Sequence, residues 1–185
     1  YMQSQDAADS WMFEAHDYIK SQSGGSVYVP EDLATDEERV FDYRLSYKKG
    51  AAIIHMIRHE VQNDSLFFAV LRDFLSEYKN NVATAEDFRH ILEEKTKINF
   101  SAFFDQWYYG EGFPSLNINW KHQHDTLYIS SFLTTSSNVT PLFNILTDYK
   151  ITLNNYDPAQ KGQALDVVGQ VLAFYKGVIA ANQQN

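Results

Sequence analysis

The sequence predicts an α+β fold, in which helices occupy about the first 113 residues and strands follow. Apolar residues recur at helical spacing through the first part, and the period changes to two after Pro114. Of the 185 residues, 44% are hydrophobic and 15% aromatic, which is enough for a folded core. We therefore predict a helical domain over residues 1–113 and a β-rich domain over residues 114–185.

The first two helices are separated by a connector. Residues 6–20 carry apolar side chains at helical spacing, and the glycine pair at 24–25 ends this helix. Residues 26–29 are strand-like, and the acidic run that follows is typical of a solvated face. The second helix is predicted over residues 46–62.

Three more helices complete the helical part. The third follows Asn63-Asp64 and has a broad apolar stripe, made of Phe67, Val70, Leu71, Phe74, Leu75 and Tyr78. The fourth begins at Thr84, where Asp87 stands in place of the glutamate of a capping box. The fifth covers residues 101–109 and ends at glycines.

The second part has the alternation of half-buried strands. The first strand is marked by Leu116, Ile118 and Trp120, and the second covers residues 126–133. Odd-numbered apolar residues from Phe143 to Leu153 predict a third strand. Residues 157–185 remain ambiguous, since residues 166–181 suit a helix or a strand.

Composition excludes several classes of function. A net charge of −9 argues against nucleic acid or an anionic membrane as a partner. Without cysteine, the chain forms neither disulfides nor cysteine-ligated metal sites. The apolar runs are far shorter than the roughly 20 residues that span a bilayer.

The first residues and the composition also suggest an origin. The chain opens at Tyr1 with neither a basic nor an apolar leader segment, so we expect it to be a piece of a longer protein. Many Tyr, Asn and Gln residues without Cys favour a bacterial envelope or exported protein.

The stretch at residues 46–58 is the one where local geometry suits chemistry. It sets Tyr47 on the predicted opening turn of a helix, at the positive end of the macrodipole. Gly50 inside the helix costs roughly 1 kcal/mol relative to alanine, so we expect something large to approach this turn closely. The alternative is that Tyr47 packs under the following helix as an amphipathic side chain.

Two histidine pairs are candidate metal ligands. His55 and His59 lie four apart on one helix, as in HExxH motifs, but methionine stands where that motif has glutamate. Arg58 stands where the inverted motif has its glutamate, and it would repel a cation. His122 and His124 share one side of a strand, without a third ligand nearby in sequence. Packed or surface histidines are the favoured interpretation of both pairs.

Five segments in a fixed order indicate a family. They are Tyr47-Lys48-Lys49-Gly50-Ala51, residues 67–78, residues 83–88, Phe103-Phe104-Asp105-Gln106-Trp107 and Gly112-Phe113-Pro114. Together they resemble segments of the aminopeptidase N family, the gluzincin zinc peptidases, including its Tyr-x-Lys-Gly-Ala motif and its Phe-Phe-x-x-Trp … Gly-Tyr-Pro signature. The resemblance covers about residues 1–120.

The resemblance implies a fold, a cofactor and partners. The chain would be the helical C-terminal part of a thermolysin-like catalytic domain, followed by a small antiparallel β-domain. In that family zinc is held by the HExxH histidines and a later glutamate, all of which the resemblance places before Tyr1. Zinc would therefore belong to the parent protein, with its ligands outside this chain. The implied partners are a peptide substrate and the rest of the catalytic domain.

The resemblance carries one catalytic residue onto this chain, Tyr47. When water attacks the scissile carbonyl, negative charge develops on its oxygen, and a tyrosine that is protonated at pH 7 can donate a hydrogen bond to it. The parent would then be a zinc aminopeptidase, whereas the isolated chain would be inactive.

Two alternatives remain open from the sequence. One is a non-catalytic relative that kept the fold as an interaction scaffold after losing its zinc ligands. The other is a standalone helical and β binding module. The sequence upstream of Tyr1 would distinguish the non-catalytic scaffold from an enzyme, since HExxH and a distal glutamate there indicate catalysis. A reading frame that begins close to Tyr1 would favour the second.

Overall fold

The structure is a computed structural model of the chain. It describes residues 4–123, 126–146, 149–150, 172–173 and 179–183. Helices fill the first part of the described chain, and strands follow. The predicted α+β class is therefore confirmed, while the thermolysin-like character of the helical part stays a prediction.

Polar residues cap several of the helices. In chain order the α-helices are α1 (Gln5–Lys20), α2 (Glu37–Val40), α3 (Gly50–Val61), α4 (Asp64–Glu77), α5 (Ala85–Thr96) and α6 (Ser101–Trp107). Ser4 accepts a hydrogen bond from the backbone N–H of Ala7 at 3.2 Å, and Asn63 accepts one from Leu66 at 3.0 Å. Each cap satisfies an amide that a first helical turn leaves without a partner. None of the helices in the described ranges is long and apolar enough to cross a membrane.

The helix around Tyr47 begins earlier than predicted. Residues Tyr43–Lys49 form a π-helical turn that continues directly into α3. Asp42 accepts a hydrogen bond from the backbone N–H of Leu45 at 2.7 Å and so starts this turn. The N–H of Gly50 donates to the carbonyl of Leu45, five residues back. Such π turns are rare and occur frequently at functional sites.

The predicted capping box at the start of α5 is confirmed. The backbone N–H of Asp87 donates to the Thr84 hydroxyl at 3.2 Å, and the backbone N–H of Thr84 donates to the Asp87 carboxylate at 2.8 Å. Hydrogen bonds from the hydroxyl and the backbone of Thr84 hold the pKa of the Asp87 carboxyl below its ordinary value.

Replacing Thr84 with alanine should lower the free energy of unfolding by about 1 kcal/mol, because one amide of the first turn loses its acceptor. Urea unfolding followed by circular dichroism measures the change. Thr84→Ser is the matched control, since it keeps the hydroxyl and should stay close to wild type. Equal midpoints for Thr84→Ala and wild type would show that the cap contributes nothing.

The chain forms two compact units. One comprises residues 25–111, and the other joins the residues before them to those after them. The boundary that the sequence places near residue 113 stays a prediction of domain organisation.

The unit of residues 25–111 has a core shared by its helices. Its buried apolar side chains include Leu45, Ile57, Val70, Phe88, Leu92 and Phe104. Phe74 of α4 meets Phe88 of α5 edge to face, with ring centroids 5.3 Å apart. Leu75, which the predicted stripe includes, is 69% exposed. The core packs α4 against both α3 and α5, and so supports the turn that precedes α3.

Residues 26–29, predicted to be strand-like, form no strand. The backbone N–H of Tyr28 and the hydroxyl of Ser26 both donate to the carbonyl of Tyr108, at 3.0 and 2.9 Å. The guanidinium of Arg39 donates to the carbonyls of Ser26 and Tyr28 at 2.8 and 2.7 Å. These contacts supply the hydrogen bonds that a neighbouring strand would have provided.

Strands build the sheets of the other unit. They are β1 (Pro114–Gln123), β2 (Thr126–Thr135), β3 (Tyr149–Lys150), β4 (Leu172–Ala173) and β5 (Ile179–Gln183). β1 pairs antiparallel with β2, as predicted, and parallel with β5 on its other edge. β3 pairs antiparallel with β4. The sheet around β1 is therefore mixed. The expectation of a purely antiparallel β-domain is wrong for this sheet.

Most of the described residues of the third predicted strand, residues 143–153, do not form a strand. Residues 143–146 form no strand, residues 149–150 are β3, and the rest lie outside the described residues. Of the ambiguous residues 157–185, only those of β4 and β5 are described. The alternation in β1 and β2 does build a core, which consists of Leu116, Ile118, Trp120, Ile129, Leu133 and Ile145.

Candidate functional site

Tyr47 lies in the π-helical turn, three residues before α3, and 52% of its surface is exposed. Its ring centroid is 6.3 Å from that of Tyr43, and the two ring planes are tilted by 35°. The predicted catalytic residue therefore presents its phenol at the surface of this unit. The alternative of a tyrosine packed in the interior under the helix does not fit this exposure.

The helix macrodipole gives Tyr47 less support than predicted. The continuous helical stretch begins at Tyr43, so Tyr47 lies about one turn inside it and not on its opening turn. The effect of the macrodipole falls off within the first turn. Stabilisation of negative charge must therefore come mainly from the hydroxyl itself.

Gly50 is not crowded by any described residue. A Cβ added there would lie 3.9 Å from the carbonyl oxygen of Leu45 and 4.0 Å from a methyl of Val27, which is ordinary contact. Its backbone has ordinary right-handed helical angles, with φ of −57° and ψ of −47°. No described residue therefore approaches Gly50 closely, and the approach of something large to this turn stays a prediction.

Gly25 is the glycine that this site requires. Its φ is +96°, and an added Cβ would lie 2.8 Å from both terminal methyls of Leu45 and 2.9 Å from the Arg44 guanidinium. Only a residue without a side chain allows the π-helical turn to pack this closely. The sequence analysis used this glycine only as the stop signal of α1.

Lys49 anchors the turn from inside the unit. Its side chain is almost completely buried, with 3% of its surface exposed. Its ammonium donates to the carbonyl oxygen of Gly25 at 2.8 Å and to that of Gly110 at 3.4 Å. Burial, and to a lesser extent the charge of Arg44, lower the pKa of Lys49 to about 8, although Glu111 opposes the shift. The ammonium therefore stays mostly charged at pH 7.

The turn thus buries its two lysines and exposes its tyrosine. Lys48 is also buried, and its ammonium lies 5.3 Å from the ring centroid of Tyr43. Sequence analysis missed Lys49 as a residue of the site. The one sequence signal for Lys49 was its position in the Tyr-x-Lys-Gly-Ala motif. Its burial could not be predicted from residue type, because lysine is ordinarily exposed.

The His55/His59 pair forms no metal site with the described residues of the chain. His55 and His59 lie one turn apart on α3, as predicted, and the side-chain amide of Gln62 lies 3.3 Å from Nδ1 of His59. Arg58 is paired with Asp64 through two hydrogen bonds of 2.7 and 2.6 Å. Among described residues, no three His, Cys, Asp or Glu side chains are grouped so as to hold a metal.

The second histidine pair is not tested by the structure. His122 belongs to β1, but the placement of its side chain lies outside what is described, as does all of His124. The pair stays a prediction.

Comparison with known proteins places this chain among peptidases. Residues 4–107, more than half of the chain, match the model of the peptidase family M1 domain. Glutamyl aminopeptidase of Bos taurus is 29% identical over 94 residues, and aminopeptidase N of Lactococcus lactis subsp. lactis is 27% identical over 105 residues. These matches cover 51% and 57% of this chain, but only 9% and 12% of the two relatives.

Proposed function

This chain belongs to the peptidase M1 family, and on that premise we propose that it is part of a zinc-dependent aminopeptidase that hydrolyses N-terminal peptide bonds. Both relatives reported above are aminopeptidases by name, which supports this reaction over other hydrolytic reactions. The matched stretch is a small fraction of each relative, so the proposal concerns a longer parent protein of which this chain is one part.

The zinc that this function implies does not fit the described residues of this chain. They offer no group of three or more His, Cys, Asp or Glu side chains that could hold a metal. The proposal therefore assigns the metal ligands to the rest of the parent protein.

The contribution of this chain is a hydrogen-bond donor for the transition state. The observation that carries this proposal is the exposed phenol of Tyr47 on a turn that is fixed from inside. As a nucleophile attacks the peptide carbonyl, negative charge develops on the carbonyl oxygen, and a donor aimed there stabilises it by about 3 to 4 kcal/mol. The hydroxyl acts only as a hydrogen-bond donor in this step, so no proton is transferred from Tyr47.

The peptidase proposal has a direct test in the parent protein. We expect the full-length protein to contain one zinc per chain by metal analysis and to hydrolyse aminoacyl-p-nitroanilides. The isolated 185-residue chain should hold no stoichiometric zinc and cleave nothing. A full-length protein without zinc and without hydrolysis would favour the non-catalytic scaffold instead.

The histidines of α3 provide the control for this test. The double variant His55→Ala/His59→Ala in the full-length protein should keep its zinc, because the proposal places the ligands elsewhere. Loss of the metal from this variant, or one tight zinc on the isolated chain, would contradict the assignment and make the His55/His59 pair the metal site.

A further inference from the structure

The π-helical turn that carries Tyr47 needs support from outside itself. A π turn is rare, and sparsely populated backbone conformations persist where the surrounding structure stabilises them. The Asp42 carboxylate accepts a hydrogen bond of 2.7 Å from the backbone N–H of Leu45 at the start of the turn. The remaining support comes from residues distant in sequence, and Lys49 provides the hydrogen bonds to them.

Two distant backbone segments meet at the ammonium of Lys49. The carbonyl oxygen of Gly25 lies 24 residues earlier in the chain, and that of Gly110 lies 61 residues later. The close packing of Gly25 against Leu45 is an independent contact between the same turn and the first of these segments. The turn is therefore fixed on two sides, while Tyr47 on it remains exposed.

Stability alone does not account for a lysine at this position. Its pKa is lowered, so the folded state disfavours the charged form relative to the unfolded state, and the ammonium opposes folding at pH 7. An apolar side chain of similar volume would carry no cost of burying a charge. What an apolar residue does not supply is a pair of directed hydrogen bonds.

We infer that Lys49 is a positioning residue that holds the π-helical turn, and with it the Tyr47 phenol, in place for catalysis. This inference rests on the proposed function of Tyr47. Lys49 itself is buried and acts through the turn, without touching the substrate. A displacement of about 1 Å in a catalytic group can lower the rate about a hundredfold.

The first test asks, without reference to activity, whether Lys49 holds the π-helical turn in place. In the full-length protein, Lys49→Met keeps an unbranched side chain that is one atom shorter and removes the donors. Hydrogen exchange followed by mass spectrometry should show amides of Tyr43–Lys49 exchanging at least about tenfold faster, whereas α4 exchanges as in wild type. Lys79→Met, which replaces an exposed lysine, is the matched control. It should change the exchange rates of neither the turn nor α4. Unchanged exchange at the turn in Lys49→Met would overturn the inference.

The second test asks whether Lys49 acts through Tyr47. Lys49→Met should lower kcat about ten- to a hundredfold with little change in KM. In a Tyr47→Phe background the same substitution should lower kcat no further, because the group that it positions is already gone. A full additional loss in that background would overturn the positioning role.

Failure of the inference and failure of the proposed function give different results. If Tyr47→Phe leaves kcat unchanged, the proposed function is wrong and the positioning role is lost with it, whatever the exchange rates. If Tyr47→Phe lowers kcat but Lys49→Met does not, only the inference is wrong. Should Lys49→Met not fold, Lys49→Gln replaces it, since its amide retains N–H donors on a shorter side chain and should give intermediate effects.

Discussion

Replacing Tyr47 with phenylalanine in the full-length protein is expected to lower kcat by about 10²–10³-fold, with little change in KM. Under the proposed function the hydroxyl donates to the developing oxyanion, so its loss should raise the free energy of the transition state without weakening the ground-state complex. Tyr47 is half exposed, so removing its hydroxyl should leave the core intact. Steady-state hydrolysis of aminoacyl-p-nitroanilides measures both constants.

Tyr43→Phe is the matched control for this result. Tyr43 lies on the same turn, is 57% exposed and stacks obliquely on Tyr47. Its ring would be kept and only its hydroxyl removed, so turnover should stay within about twofold of wild type. Unchanged turnover in Tyr47→Phe, or equal losses in both variants, would remove the catalytic assignment.

Replacing Gly25 with alanine is expected to lower the free energy of unfolding by about 2–6 kcal/mol. The positive φ of this residue is strained for alanine, which costs roughly 1–3 kcal/mol. The added methyl would also press on the buried side chain of Leu45, and overpacking costs a further amount of about 1–3 kcal/mol. Urea unfolding followed by circular dichroism measures the loss.

Gly50→Ala is the control, with the opposite expected sign. The same methyl there meets only ordinary contacts on helical backbone, so stability should rise by up to about 1 kcal/mol. If Gly25→Ala proved as stable as wild type, the packing of Leu45 on that glycine would not constrain the turn. If Gly50→Ala were stable but inactive in the parent protein, a group outside this chain would approach Gly50.

Local signals predicted five of the six described α-helices and missed the short helix α2. The polar residue at Thr84 and the carboxylate three residues later fix the start of α5 through contacts within one turn. The alternation from Leu116 likewise fixed β1 and its buried face. Such features depend on neighbours along the chain, and they are therefore visible in sequence.

Features that depend on distant contacts were missed. The π-helical turn covers seven residues, too few for its period to be distinguished from that of an α-helix. The burial of Lys49 depends on carbonyls 24 and 61 residues away, and the parallel pairing of β5 with β1 spans an even longer separation. The strand-like residues 26–29 are held by Arg39 and Tyr108 instead of by a strand.

The candidate site was predicted in part. Tyr47 was singled out, and its exposure agrees with a catalytic role, although the role itself stays a prediction. The sequence singled out Gly50, whereas the close packing among described residues lies at Gly25. This requirement was missed because a positive φ is a property of the fold, and both positions show only a glycine in the sequence.

The affinity of a tetrahedral transition-state mimic tests the central claim most directly. A phosphinic dipeptide analogue carries its negative oxygen where the oxyanion forms, so its inhibition constant reports contacts to that oxygen. If Tyr47 donates to the oxyanion, Tyr47→Phe should raise this inhibition constant by about the same 10²–10³-fold as it lowers kcat, while KM stays close to wild type. A variant that loses turnover but binds the analogue as tightly as wild type would show that the phenol does not contact the oxyanion.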